Sequence, residues 1–199
     1  MDNYTQLAKA NLDRLFAKLP GDLERRLAGE RHGAVFSFTA FGQPCSLSRE
    51  GITLGGEAPP GVISILLALY ALHAVPDQPV IEPLRAFKEF PDATPYVGAF
   101  ASHTEQILVP AVDRIKANAD RIVGRLHGRP APASVGGDFA FLVRPLPKIF
   151  LGYIFYEADE DFPASVTCLY SNNADRFMPM DGLADVGEYT SKTILDLIA

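Results

Sequence analysis

Residues 136–173 read GGDFAFLVRPLPKIFLGYIFYEADEDFPASVTCLYSNN, and their hydrophobic pattern predicts three consecutive β-strands. The middle segment, 148–156, carries apolar side chains on both faces, which is typical of a central strand covered on both sides. Short connections join it to its predicted neighbours, 138–144 and 165–171, so both are expected to pair with it in antiparallel fashion. This unit is the most apolar part of the chain and is expected to form the centre of the fold.

The remaining sequence switches between helical and strand periodicity. A period of two between residues 33 and 55 predicts a small antiparallel meander of three strands. Because helices separate the two β units, the predicted fold class is α+β, an antiparallel sheet packed with several α-helices. The expected parts of a single domain, residues 1–199, are N-terminal helices over 1–32, the meander over 33–55, a helical region over 61–127, the three-strand unit over 137–173 and a C-terminal helix over 180–199.

Local signals indicate where some of these elements begin and end. Asp2 or Asn3 is expected to cap the first helix, because both side chains accept hydrogen bonds from backbone N–H groups. Pro110 lies near the start of the best amphipathic pattern in the chain, which predicts one helix over 107–126. The proline-rich segment 129–133 is predicted to be a linker between this helix and the three-strand unit.

Charge and apolar content exclude several classes of function. With a net charge of −6 and no dense run of Lys or Arg, the chain lacks the basic face that nucleic-acid binding requires. The longest apolar run, 62–75, is shorter than the about 20 residues needed to cross a bilayer. The first residues show no signal peptide. We therefore expect a cytoplasmic protein that binds neither nucleic acid nor membrane, and the oligomeric state stays open.

The two cysteines, Cys45 and Cys168, fall on different predicted β units. Two thiols alone supply neither a four-thiolate cluster nor a structural zinc site. A disulfide needs Cα atoms within about 7 Å, and a cytoplasmic location disfavours oxidation, so both thiols are expected to be free.

Several segments together carry a resemblance to a known family. They are ISILLALYALHA (63–74), TPYVGAF (94–100), GDFAF (137–141), LPKI (146–149) and DEDFPA (159–164). In this order they resemble a bacterial and archaeal domain family, found mostly in anaerobes, whose function is unknown. The resemblance covers roughly residue 35 to the C-terminus. Some relatives carry an added cysteine-rich iron–sulfur segment, and this chain lacks those cysteines, so the resemblance implies the fold and no cluster. The sharpest shared elements are Tyr96, Phe100, Gly137-Asp138, Leu146-Pro147 and Asp159-Glu160-x-Phe162-Pro163.

A first group of candidate ligand-binding residues follows Pro95, which suits the first turn of a helix. Tyr96, Phe100 and His103 recur at helical spacing and are expected on one side of that helix. Such a side could line a pocket for a flat aromatic ligand such as a tetrapyrrole, although core packing explains the same pattern.

A second group of candidates surrounds the three-strand unit. Arg144 ends an apolar strand, so its guanidinium could hold an anion or form an ion pair with Glu157 or Asp159 on the neighbouring strand, and the ion pair is the favoured prediction. The acidic run 157–161 could supply carboxylates to a divalent cation, but it lacks the ligand spacing of a calcium loop. We expect Asp159 to hold a turn, with no metal site.

These observations favour an uncharacterised small-molecule-binding or partner-binding accessory domain, linked by the resemblance to anaerobic redox or cofactor metabolism. No catalytic motif is recognisable. One alternative is an enzyme of undescribed type that uses Arg144 with Asp159 and Glu160 in a cleft. Another is an obligate-complex subunit whose apolar helices pack on a partner. The sequence identifies no cofactor.

Overall fold

The computed structural model describes residues 3–199 and confirms the α+β class, with two antiparallel sheets packed against helices. The expected cap at Asp2 lies outside the described residues. The first sheet is a meander of β1 (Glu30–His32), β2 (Val35–Ala40), β3 (Gln43–Leu47) and β4 (Ile52–Leu54). The second sheet contains β5 (Arg85–Ala86), β6 (Arg129–Pro130), β7 (Phe139–Leu146), β8 (Ile149–Tyr156) and β9 (Ser165–Tyr170), in the spatial order β5-β9-β8-β7-β6.

The central strand is confirmed. Strand β8 lies between β7 and β9, antiparallel to both. Apolar side chains on its two faces, Phe155 and Ile154, are buried, and Phe150 is half-buried. Tyr156 is the exception, since it lies at the strand end with 44% of its surface exposed. The sequence pattern therefore identified a strand that lies between two neighbours and is buried on both faces.

The N-terminal meander has one strand more than predicted, because residues 30–32 form β1 and not the end of a helix. The α-helix ends at Leu27, and Ala28 adopts a left-handed backbone conformation (φ 50°). Gly29 then passes so close to the neighbouring strand that a Cβ there would lie 2.3 Å from the carbonyl oxygen of Ser37. This close approach delivers the chain directly into the sheet, where Glu30 pairs with Ser37.

Short edge strands account for two further differences from the prediction. The expected linker contains β6, whose two residues pair with Leu142 and Phe141 of β7. Proline is compatible with this position because an edge strand leaves one side of its backbone unpaired. At the opposite edge, β5 pairs with only Leu169 and Tyr170, the last two residues of β9.

The α-helices are α1 (Asn3–Ala17), α2 (Leu23–Leu27), α3 (Gly61–His73), α4 (Val97–Phe100), α5 (Val112–Ala117), α6 (Ala119–Arg125) and α7 (Met180–Leu197). The expected apolar helix is α3, which buries Leu66 and Leu67 completely, and the expected C-terminal helix is α7, which buries Leu183 and Ile194. Within residues 3–199, no helix combines the length and apolar content needed to cross a membrane.

The predicted single helix over 107–126 is wrong. The chain instead changes helix type repeatedly, from α4 through a π-helical turn at Ala101–Glu105 and a 3-10 segment at Gln106–Ala111 into α5 and α6. Pro110 lies inside the 3-10 segment, where its missing N–H interrupts α-helical hydrogen bonding. Asn118 separates α5 from α6 with φ −115°. A π-helical turn is rare and frequently marks a functional site.

Candidate functional site

The structure does not bring the predicted residues Tyr96, Phe100 and His103 to one pocket. Tyr96 lines an open cavity of about 530 Å³, whereas Phe100 is buried in an aromatic cluster. His103 is exposed, and its Nδ1 lies 3.1 Å from Oε2 of Glu188. The helix changes from α to π geometry at Ala101, so residues three apart no longer share a face.

The predicted ion pair of Arg144 with Glu157 or Asp159 is wrong. Arg144 donates from Nε and Nη2 to the carbonyl oxygen of Pro147, at 2.9 and 2.7 Å. It lies beside the β7–β8 turn, whereas Glu157 follows the far end of β8, where its N–H donates to Asp138. Adjacent antiparallel strands bring the end of one beside the start of the next, which places the two partners at opposite ends of the hairpin. Arg144 and Asp159, which the enzyme alternative placed in one cleft, therefore lie at opposite ends of the hairpin.

Asp159 organises the turn after β8. Its Oδ1 accepts hydrogen bonds from the backbone N–H groups of Asp161 and Phe162, at 2.8 and 2.7 Å, and its own N–H donates to the carbonyl of Phe162. The neighbouring Glu157 forms an ion pair with Lys116. Throughout residues 3–199, no three His, Cys, Asp or Glu side chains are grouped so that they could hold a metal ion.

A cavity of about 240 Å³ lies beside the π-helical turn, and we call it the Glu105 cavity. The carboxyl of Glu105 and the aromatic ring of Phe100 line it, together with Phe87, Lys88 and Cys168. Phe100 is thus the one residue proposed from sequence that lies at this cavity. Glu105 itself carries no sequence signal, because nothing local shows that it faces a strand.

The open edge of β9 explains why Glu105 lies there. Strand β5 ends at Ala86, where the chain enters a 3-10 turn. Residues 165–168 of β9 therefore have no paired strand residue on this side. The N–H of Cys168 faces this edge and donates to Oε1 of Glu105 at 2.9 Å. The Cys168 carbonyl faces the same side, and the pairing of Ala86 opposite Leu169 directs the Phe87 N–H toward it.

The position of Glu105 changes its acid–base behaviour. The side chain is half-buried, and this burial raises the pKa of the Glu105 carboxyl, against the opposing effects of the Cys168 N–H and the Lys88 charge. A carboxyl group away from water costs stability unless it is paired or hydrogen-bonded. The cavity therefore holds a polar group with unused hydrogen-bonding capacity beside an apolar wall.

The apolar wall is a stack of aromatic rings. The rings of Phe87 and Phe100 lie 4.3 Å apart between centroids and 8° from parallel, and both contact Tyr170. Gly187 of α7 permits this packing, because a Cβ there would lie 2.6 Å from the Phe100 ring and 2.9 Å from Oγ1 of Thr104. The wall is consequently fixed from behind by α7.

Buried hydrogen bonds connect the π-helical turn to the core. Ser191 of α7 donates from its hydroxyl to the Thr104 carbonyl at 2.7 Å, and the Tyr153 hydroxyl lies 2.9 Å from the Ser191 hydroxyl. The Ser191 hydroxyl thus provides a hydrogen-bond donor for the Thr104 carbonyl in the π-helical turn. They hold Glu105, the next residue, in a defined position at the edge of β9.

Most of the chain is similar to one known protein family. A family model described as a domain of unknown function, DUF3786, matches residues 20–193, which is most of the chain. The chain belongs to the DUF3786 family. The match includes both sheets and every residue of the Glu105 cavity named above, whereas α1 precedes it. No curated protein and no solved structure matches the chain.

Proposed function

We propose that this DUF3786 domain binds a small organic molecule in the Glu105 cavity. One observation carries the proposal: a half-buried carboxyl, held at an open strand edge by the Cys168 N–H, lines a cavity whose wall is a stacked pair of aromatic rings. An apolar cavity with a few convergent polar groups and a perturbed ionisable residue is the typical form of a ligand site.

The dimensions and chemistry of the cavity restrict the ligand. A volume of about 240 Å³ equals that of roughly eight water molecules in the liquid, which suits a single small ring or a short chain. The Glu105 carboxyl is an acceptor, so the ligand should carry an N–H or O–H donor. The positive charge of Lys88 on the cavity lining is compatible with an acidic group on the same ligand. A tetrapyrrole exceeds this volume and does not fit the Glu105 cavity.

The proposal also includes a metabolic role and a cellular location. The resemblance described from sequence favours an accessory function in anaerobic redox or cofactor metabolism. The two thiols, Cys45 and Cys168, are free and buried, which is compatible with a reducing compartment such as the cytoplasm. We include both the metabolic role and the cytoplasmic location in the proposal.

Native mass spectrometry of protein purified without air tests the proposal. We expect a bound small molecule on the wild-type protein and a marked loss of occupancy in Glu105→Gln. This variant keeps a side-chain oxygen that can accept the Cys168 N–H, so the fold should survive while the charge is lost. Glu82→Gln is the matched control, because Glu82 is exposed and lies outside the cavity.

Two results would overturn the proposal. One is an equal occupancy of the bound molecule in Glu105→Gln and in the wild type, which would place the ligand elsewhere. The other is the absence of any bound molecule together with no thermal stabilisation by a library of single-ring amines, amides and acids. Ala101→Leu adds an independent check, since a larger side chain on this wall should exclude the ligand without removing the carboxyl.

A further inference from the structure

We propose a second binding site, for a phosphate group, in the cavity beside Arg144. This Arg144 cavity has a volume of about 140 Å³ and is lined by Thr39, His127, Arg144 and Pro147. It is separate from the Glu105 cavity, because no lining residue is shared.

The guanidinium of Arg144 is fixed before any ligand binds. Two hydrogen bonds to the Pro147 carbonyl set its plane, and the Phe150 ring lies beneath it with 5.4 Å between the ring centroid and Cζ. Its backbone N–H donates to the Leu126 carbonyl at 3.0 Å. A guanidinium has five N–H donors, and these bonds leave about three for a ligand. An immobilised fork loses little further entropy on binding a tetrahedral oxyanion.

Positive charge at this end of the hairpin is not neutralised by a direct ion pair. Within the described part of the chain, no carboxylate lies within salt-bridge distance of Arg144 or of the nearby Lys148. Lys148 is buried and donates to the carbonyl oxygens of Val75 and Asp77, at 2.7 and 3.0 Å. The Asp77 carboxylate is engaged by Arg176 instead. Among the described residues, the side chains of Arg144 and Lys148 therefore donate hydrogen bonds to carbonyl oxygens and to no carboxylate.

The other walls of the Arg144 cavity supply further hydrogen-bond donors, at the place where the first sheet meets the second. Thr39 contributes a hydroxyl from β2, and His127 an imidazole from the turn after α6. His127 has a left-handed backbone (φ 48°) that ends α6, and the following Gly128 N–H donates to the Val123 carbonyl at 2.7 Å. The hydrogen bond from the Phe41 N–H to the Pro145 carbonyl, at 2.7 Å, joins the two sheets beside the cavity.

The size of the cavity restricts the anion. Its volume equals that of roughly five liquid water molecules, enough for phosphate and a water but not for a nucleotide base. The occupant is therefore inorganic phosphate or the phosphate group of a larger molecule whose remainder stays in solvent. Both sources share one recognition chemistry, a guanidinium fork with hydroxyl and imidazole donors.

Titration of the full-length protein with inorganic phosphate and, separately, with a simple phosphate monoester tests the site. Isothermal calorimetry and the melting temperature are the readouts, at constant ionic strength set with sodium chloride. We expect saturable binding that weakens by about tenfold or more in Arg144→Lys, which keeps the charge but loses the planar fork. Arg121→Gln is the control, because Arg121 is exposed and lies outside the cavity.

Each outcome decides a point. Equal affinity in Arg144→Lys and the wild type would overturn the site, as would no binding of either ligand at about 10 mM. If Arg144→Lys does not fold, His127→Gln and Thr39→Val take its place, since both side chains are exposed, and unchanged binding in both would also overturn it. Tighter binding of inorganic phosphate identifies the free ion as the occupant, and tighter binding of the monoester identifies a phosphorylated molecule.

Discussion

Truncation of Phe155 to alanine should strongly destabilise the fold. Phe155 is fully buried on the central strand, where its ring stacks on Phe139 with centroids 4.5 Å apart and 5° between planes, and lies 5.3 Å from Phe141. Loss of a buried phenyl ring in such a setting costs about 3–5 kcal/mol, including the residual cavity. Total stabilities of about 5–15 kcal/mol are typical, so this loss is a large fraction.

Denaturant unfolding at equilibrium measures this effect, with Phe162→Ala as the matched control. Phe162 is the same residue type but has 70% of its surface exposed, so its truncation should change the free energy of unfolding by less than about 0.5 kcal/mol. The denaturant dependence should be similar in both variants and the wild type. A cost below about 1.5 kcal/mol for Phe155→Ala, or equal costs for the two variants, would contradict the packing described for β8.

Three further predictions concern ionisable groups and thiols. Burial raises the pKa of Glu105 above its ordinary 4.5, so the folded state binds this proton more tightly, and the Glu105 contribution to the free energy of unfolding should fall as pH rises from about 4.5 through the raised value. Glu105→Gln should make the measured fall shallower than in the wild type, and an unchanged pH profile would contradict this prediction. Cys45 and Cys168 should give two free thiols under denaturing conditions without reductant, and zero free thiols would contradict this prediction. Both thiols should react slowly in the folded protein, because both are buried and the pKa of Cys45 is raised to about 12. Asp159→Ala should lower the free energy of unfolding by about 1 kcal/mol, because two hydrogen bonds of the turn are lost. Calcium or EDTA should leave the melting temperature of the wild type unchanged, and a calcium-dependent rise of several degrees would reveal a metal site.

The sequence predicts the elements whose pattern is local and strong. The strand at 149–156 and the helix α3 were both recognisable, because burial on all sides leaves an unbroken apolar run. The edge strands β1, β5 and β6 were not, since two or three residues carry no periodicity. Their pairing depends on close backbone approaches, such as that of Gly29 to Ser37, which only the folded chain shows.

The sites were less predictable than the fold for the same reason. Glu105 became notable only because β5 stops after two residues and exposes the Cys168 N–H, a non-local consequence of strand length. Arg144 stays a candidate for anion binding, whereas its predicted ion pair with Glu157 or Asp159 is wrong. The strand pattern alone does not show which end of a hairpin each charged residue occupies. The change to π geometry likewise separates Phe100 from His103 without any proline or glycine at the point of change.

Electron density in the Glu105 cavity is the most direct test of the central claim. Crystals of protein purified without air should show a small organic molecule within hydrogen-bonding distance of the Glu105 carboxyl and against the rings of Phe87 and Phe100. Crystals of Glu105→Gln should show only water there. A cavity that contains only water in wild-type crystals, while mass spectrometry still detects a bound molecule on the same preparation, would contradict the account.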